Sequence, residues 1–260
     1  GHAVAPIVAQ HHGEPVFTRR AKAGHRLVRR HIAGYMFTGA AYGQAHPWID
    51  NGVIKPDAKL FEVLEAAAML PEDGTEIELE GSPAVLWVGR LIDSKDPIGA
   101  IDAFEHANLP NGHLHMLAGE RDMEPAVRNR IANLNLSAGR VHLHDVVPHN
   151  VIGRWYEAAD VFFSTNRREG SGYALIEAMS AGCIPAVCDI PPHKAIVQNS
   201  GTTFPPGDIH KAAAALHTAA TLAVTEGRRE QVRQLVSWDA VAQQLADAYD
   251  TLANTSRQRR

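Results

Sequence analysis

The chain has 260 residues, of which 45% are hydrophobic and 21% charged, and its formal net charge is −4 with all 15 histidines neutral. This is the make-up of a globular protein with room for one large domain or two small ones, and it lacks the dominant basic surface of a nucleic-acid binder. The two cysteines, Cys183 and Cys188, can neither staple a fold of this size nor hold a zinc ion at their spacing, and no apolar run reaches the ~18 residues of a membrane span.

The first apolar run is Pro6-Ile7-Val8-Ala9, followed by His11-His12-Gly13. Arg19 to Arg30 reads as a basic helix, with six cations in twelve residues. Tyr35 to Thr38 and Leu60 to Leu64 are further apolar runs. Between them, Pro47 argues against a helix in Gly43 to Gly52. The turn-rich Pro71-Glu72-Asp73-Gly74 and the acidic stretch Glu76 to Ser82 mark a boundary.

Beyond it the alternation is cleaner. Strands are predicted at Ala84–Val88, His113–Ala118, Val141–His144, Val161–Phe163 and Ile184–Cys188. Helices are predicted at Pro97–Ala107, Glu124–Leu134, Asn150–Ala159 and Tyr173–Ala181. Asp208 can cap a helix from Ile209 to Ala220, and Ser237 one from Trp238 to Leu252. Strands spaced by helical stretches imply βαβ units and a parallel sheet. The fold class is α/β, and ligands of such sheets sit beyond the carboxyl ends of the strands.

Two of those loops carry chemistry. Gly89-Arg90-Leu91-Ile92-Asp93-Ser94-Lys95 holds a glycine that permits close approach and two cations five residues apart. Arginine grips phosphate oxygens bidentately and lysine adds a point charge. A solvated loop with incidental charges is the plainer explanation. In the second loop, Gly170-Ser171-Gly172 lies between a strand and a helix start, where free amides and the helix dipole form an anion site. Glu169 and Glu177 flank it with seven residues between them. Two carboxylates around an anion site make sense as acceptors for hydroxyls on either side of a diphosphate. The alternative is a capping carboxylate and a surface glutamate.

Together these segments resemble a known family. Glu169-Gly170-Ser171-Gly172 through Glu177-Ala178-Met179-Ser180-Ala181-Gly182 is similar to the signature of retaining glycosyltransferase family 4, of the two-domain GT-B fold. Gly89-Arg90 with Lys95, Asp189-Ile190-Pro191-Pro192, Phe204-Pro205-Pro206-Gly207-Asp208 and Ser237-Trp238 agree with it. The resemblance covers about Val85 to Leu252. It implies a GT-B type, Rossmann-like parallel sheet flanked by helices, with an incomplete second Rossmann-like domain. The expected division is residues 1–80 for a partial acceptor-side domain, 81–236 for the donor-binding domain and 237–260 for a terminal helix and tail.

The resemblance also implies roles. Arg90 and Lys95 would hold the donor diphosphate, Glu177 the ribose hydroxyls and Glu169 the transferred sugar. Amides of Gly170, Ser171 and Gly172 would meet sugar or phosphate. The strand end at Leu143 and His144 would pack the base, largely through backbone. His12, followed by Gly13, would face the sugar from across a cleft. The catalytic set is then Glu169, Arg90, Lys95 and His12, and Arg90 and Lys95 stabilise the leaving diphosphate. Three departures stand out. Ser171 replaces a bulky aromatic, Asp145 a glycine and Asp96 a glycine.

The implied activity is sugar transfer from a UDP-, GDP- or ADP-sugar to a carbohydrate or lipid-linked acceptor, with retention and no separate cofactor. A non-catalytic nucleotide-sugar-binding module and a GT-B nucleotide-sugar epimerase are the competing readings. No nucleic-acid partner is expected. The glycine-rich first turn and further βα units of an acceptor domain are missing, and the opening Gly1-His2 reads as a processing scar, so a fragment is expected. Reduced thiols point to the cytoplasm. The Arg19 to Arg30 segment could rest peripherally on an anionic inner membrane face, or simply be solvated. His113/His115 and His142/His144 pair on strand faces. With no carboxylate cluster beside them in the sequence, no metal site is expected there.

Overall fold

A computed structural model describes residues 7–13, 17–67, 76–135, 139–222 and 226–258. The acidic turn expected at 71–74 and the scar at 1–2 lie outside these residues.

Two parallel sheets organise the described chain. The first pairs β1 (Ile7–Gln10), β2 (Ile32–Phe37) and β3 (Leu60–Glu62) in that order. Helix α1 (Arg19–Val28) connects β1 to β2, and the Thr18 hydroxyl caps it by accepting from the Ala21 amide. The second sheet contains β4 (Ala84–Arg90), β5 (His113–Gly119), β6 (Val141–Asp145), β7 (Val161–Ser164), β8 (Ile184–Cys188) and β9 (Thr202–Phe204). Its order is β6-β5-β4-β7-β8-β9. The order reverses between β4 and β7, and that is where such a sheet opens a ligand crevice.

Both faces of this sheet are covered, so its central strands are apolar throughout. Val85 and Trp87 of β4 join one core with Ile101 and Phe104 of α3 (Pro97–His106) and Leu216 of α8 (Ile209–Thr221). Val127 of α4 (Glu124–Ala132) belongs to the same core. Leu86, pointing the other way, joins Tyr156 of α5 (His149–Ala158) and Ile176 of α6 (Tyr173–Ala181). The predicted caps of the last two periodic helices form. Asp208 accepts from Lys211 N, and Ser237 accepts from Ala240 N at the start of α10 (Trp238–Gln258).

Three helices escape the sequence pattern. Helix α2 (His46–Asp50) forms despite Pro47, because the proline sits in the first turn, where its missing N–H has no helical partner. Helix α7 (Pro191–Val197) begins on two prolines for the same reason. Helix α9 (Glu226–Val236) precedes α10 directly.

The end of the chain returns to the first sheet. Ala67 N donates to Val236 O at 2.8 Å, Leu64 N donates to Gln244 Oε1 at 2.8 Å, and Leu252 lies against Gly34. Helix α10 therefore packs against the first sheet.

Candidate functional site

The crevice at the carboxyl end of β4 is a cavity of about 310 Å³ lined by Gly89, Arg90, Lys95, Asn166, Glu169 and Ala174, among others. Leu91 buries completely and anchors the loop after β4. A single 3-10 turn, Asp93–Lys95, then brings Lys95 back under the sheet edge. Asp96 closes this turn with φ +47, the left-handed region that favours glycine. Aspartate suits the position because its side chain accepts from Gly99 N to cap α3 and pairs with Arg167 at 2.9 Å.

Lys95 is nearly buried, and its Nζ lies 2.9 Å from Glu169 Oε2. The same oxygen accepts from Asn166 Nδ2 at 3.1 Å, while Oε1 accepts from Gly170 N at 3.0 Å. Burial works to raise the Glu169 carboxyl, but Lys95 and these donors outweigh it and hold it below the usual range. Arg90 reaches from the opposite wall, half exposed, and bonds Glu120 at 3.1 Å.

Glu177 sits one turn beyond Ala174 on α6, so the two share a helix face. It is buried, accepts from the Tyr156 hydroxyl at 3.2 Å and has His149 at 3.8 Å. Burial raises its carboxyl pKa. Leu143 packs towards the core, and the His144 ring turns to His115 and Trp155. From that corner the side chains reaching the cavity are Val146, Val147 and Ile152. Asp145 turns away to pair with Arg121 at 2.5 Å.

The first sheet meets the crevice at His12. Its carbonyl accepts from the Ser171 hydroxyl at 2.7 Å, and Gln44 Nε2 donates to Gly170 O at 2.7 Å. A small residue at 171 lets the two units touch here. The His12 ring bonds Glu65 at 2.5 Å, and Glu65 also accepts from Tyr173 OH at 2.9 Å. His11 points the other way, stacked 4.7 Å from Phe37 and 4.1 Å from Trp48. The structure thus brings Arg90, Lys95 and Glu169 to one crevice, packs the 170–172 turn against the His12 backbone beside it, and buries Glu177 further along α6.

Sequence reasoning missed three members of this neighbourhood. Asn166 is buried on the cavity wall, and among the described residues its Oδ1 has no hydrogen-bond partner. Glu65 and Tyr173 position the His12 ring. His193 of α7 is fully buried behind Lys95 and Glu169, and its Nδ1 donates to Cys188 O at 3.0 Å. Glu65 meets His12 and Tyr173 only through contacts between distant segments, whereas Asn166, three residues before Glu169, was within reach of the sequence signal.

Burial lowers both His193 and His11 to about 4. The unfolded chain protonates them near 6.5, so their contribution to stability is complete above that pH and is lost as pH falls towards 4. The protein is therefore expected to be less stable at pH 5 than at pH 7. Urea unfolding at pH 7 and pH 5 checks this. Equal stability at the two values would show that the two rings are not held neutral.

The described residues include no helix long and apolar enough to cross a membrane.

Residues 75–234 match the family model described as "Glycosyl transferases group 1". The chain is 34% identical over 208 residues to a GDP-mannose:cellobiosyl-diphosphopolyprenol alpha-mannosyltransferase of Xanthomonas oryzae pv. oryzae, covering 75% of this chain and 53% of that protein. It is 31% identical over 157 residues to the protein of that name from Xanthomonas campestris, covering 56% of this chain and 41% of the other. The chain therefore spans about half the length of these relatives. A solved glycosyltransferase from Rickettsia africae superposes with a TM-score of 0.70 at 14% identity, covering 95% of this chain and 70% of that one. At that identity the likeness speaks for the fold alone, and the fold is GT-B. With the signature loops folded into one crevice and the family model spanning more than half its length, this chain belongs to the group 1 glycosyl transferases.

Proposed function

We propose that this chain supplies the donor half of a retaining hexosyltransferase of glycosyltransferase family 4. The observation that carries the reading is the meeting of Arg90, Lys95 and Glu169 around one cavity at the start of α6. Two cations and a helix amino terminus suit a diphosphate. Glu169 supplies an acceptor for sugar hydroxyls, and the unpaired Asn166 Oδ1 offers a second. Glu177, buried beside Tyr156, takes the ribose. The Gly170 amide already donates to Glu169, so the amides that meet sugar or phosphate are those of Ser171 and Gly172, and the loop after Leu143 and His144 covers the base.

Glu169 binds rather than attacks. Both of its oxygens already hold donors, and its pKa is depressed, so it is a poor nucleophile. Retention then follows by departure of the diphosphate and entry of the acceptor hydroxyl on the same face, its proton passing to the departing phosphate oxygen. Arg90, Lys95 and the α6 dipole stabilise the charge that develops. Glu169 also lines a second cavity of about 370 Å³ between the two sheets, with Phe17, Gln44, Pro47 and Pro192. We place the acceptor there, since one carboxylate then borders both reacting sugars. The two Xanthomonas relatives make GDP-mannose the donor to test first and a lipid-linked saccharide the acceptor.

Thermal shift of this chain with UDP-, GDP- and ADP-sugars tests the donor reading, because a ligand of the native state stabilises it by mass action. Glu177→Ala is expected to weaken the nucleotide even without a sugar by ~10-fold or more, the worth of a hydrogen bond to a charged group. Failure of every nucleotide sugar to shift the parent protein would overturn the reading. Undiminished nucleotide affinity in Glu177→Ala would remove the ribose role.

A further inference from the structure

Histidines of β5 and β6 cluster on one face of the six-stranded sheet, and those at its amino-terminal end, His113 and His142, do not line the donor crevice. His113 and His115 of β5 and His142 and His144 of β6 all project from one face, since His115 pairs with His142 in register. The rings form a stacked array, with His115 and His142 centroids 4.5 Å apart and nearly parallel. Against the expectation from sequence, a carboxylate joins them. Glu80 arrives from the segment that connects the two sheets.

The three outermost groups converge. His113 Nδ1 lies 2.9 Å from His142 Nε2, and Glu80 Oε2 lies 3.5 Å from the first and 3.9 Å from the second. An ion bound tetrahedrally at ~2.0 Å holds its ligand atoms ~3.3 Å apart, so these spacings need only small adjustment. His115 supports the arrangement from below, bonding the Glu80 carbonyl through Nε2 at 2.8 Å. The Glu80 side chain is largely exposed, which leaves the outer side of the triangle to solvent.

We propose that Glu80, His113 and His142 form a binding site for a divalent transition ion of the zinc class, completed by water. Two imidazoles and one carboxylate suit Zn²⁺, Co²⁺, Ni²⁺ or Cu²⁺, and not Mg²⁺ or Ca²⁺, which require oxygen ligands. The proton now shared between the two facing nitrogens moves to the far side of its ring when the ion enters. The strand length puts this site ~20 Å from the donor end of β5. Its effect is structural: it fastens the connecting segment to the β5 and β6 strands.

Calorimetric titration of the protein with Zn²⁺, and visible absorption with Co²⁺, test the site. Glu80→Ala removes an exposed side chain and leaves the backbone anchor in place, while His142→Ala removes an inner ligand. The parent protein is expected to bind one more equivalent of Zn²⁺ than either variant, or to bind it at least ~10-fold more tightly. It alone should show the intense bands of tetrahedral Co²⁺, and Zn²⁺ should raise its Tm more than that of Glu80→Ala. Equal stoichiometry and affinity in all three proteins, or a Co²⁺ spectrum that survives in both variants, would overturn the proposal. The donor crevice is not involved, so nucleotide affinity should be the same in the variants and the parent.

Discussion

Lys95→Ala is expected to lower the turnover of an active preparation by ~10²- to 10³-fold, the usual effect of deleting one preorganised donor at a site of developing charge. Two consequences of the substitution need separating. Lys95 holds Glu169 at 2.9 Å in a largely buried pair, so its loss leaves a carboxylate without its countercharge. That costs about 3 kcal/mol of stability whether or not a diphosphate ever binds. The functional part shows only in the ligand. Affinity for GDP or UDP should fall along with turnover, measured by calorimetry at a temperature where circular dichroism shows the variant folded. If stability drops while nucleotide affinity and turnover both hold, Lys95 is a structural partner of Glu169 and the phosphate role is wrong. Arg90→Ala lacks this ambiguity. Arg90 is half exposed, so its loss should reduce affinity and rate with little change in Tm.

The second large effect belongs to the contact between the two sheets. A Cβ at Gly170 would stand 2.2 Å from His12 O and 2.8 Å from Gly13 backbone atoms. Backbone cannot rotate out of the way, so Gly170→Ala must push the units apart. The Ser171 to His12 and Gln44 to Gly170 hydrogen bonds then stretch or break. Overpacking of this kind costs ~1–3 kcal/mol. A displacement near 1 Å between donor and acceptor walls costs ~10²-fold in rate. Nucleotide affinity should change less than the rate, because Arg90, Lys95 and Glu177 belong to the six-stranded unit and only the adjoining turn amides are next to the substituted residue. Full transfer activity in Gly170→Ala would show that the close approach at His12 is not needed for transfer. Gly39, whose Cβ would lie 2.4 Å from the Pro191 backbone, makes a second such approach between the units.

Local pattern made much of this protein legible. Helices with a capping side chain and full periodicity, α8 after Asp208 and α10 after Ser237, begin where the sequence places them, although α10 runs on to Gln258 and not to the expected Leu252. So do α6 and β8, whose ends coincide with glycine and strand-like runs. Helices α2 and α7 were obscured because each carries proline in its first turn. In isolation that residue reads as a breaker, and only its place in the first turn makes it acceptable.

The candidate site divides along the same line. Arg90 with Lys95, and Glu169 with Glu177, are close in sequence, so each pair was visible there, although its role came from the family resemblance of the two segments together. Which carboxylate Lys95 would hold was decided by β4 and β7 lying side by side, over 74 residues of separation. The same holds for Ser171 against His12 across 159 residues, and for Glu80 beside His113 and His142. Backbone propensity, capping and hydrophobic period are short-range and can be read one segment at a time. The partner of a buried charge is set by strand order and crossover, which the whole chain settles together, and that is why the tertiary structure was needed to pair them.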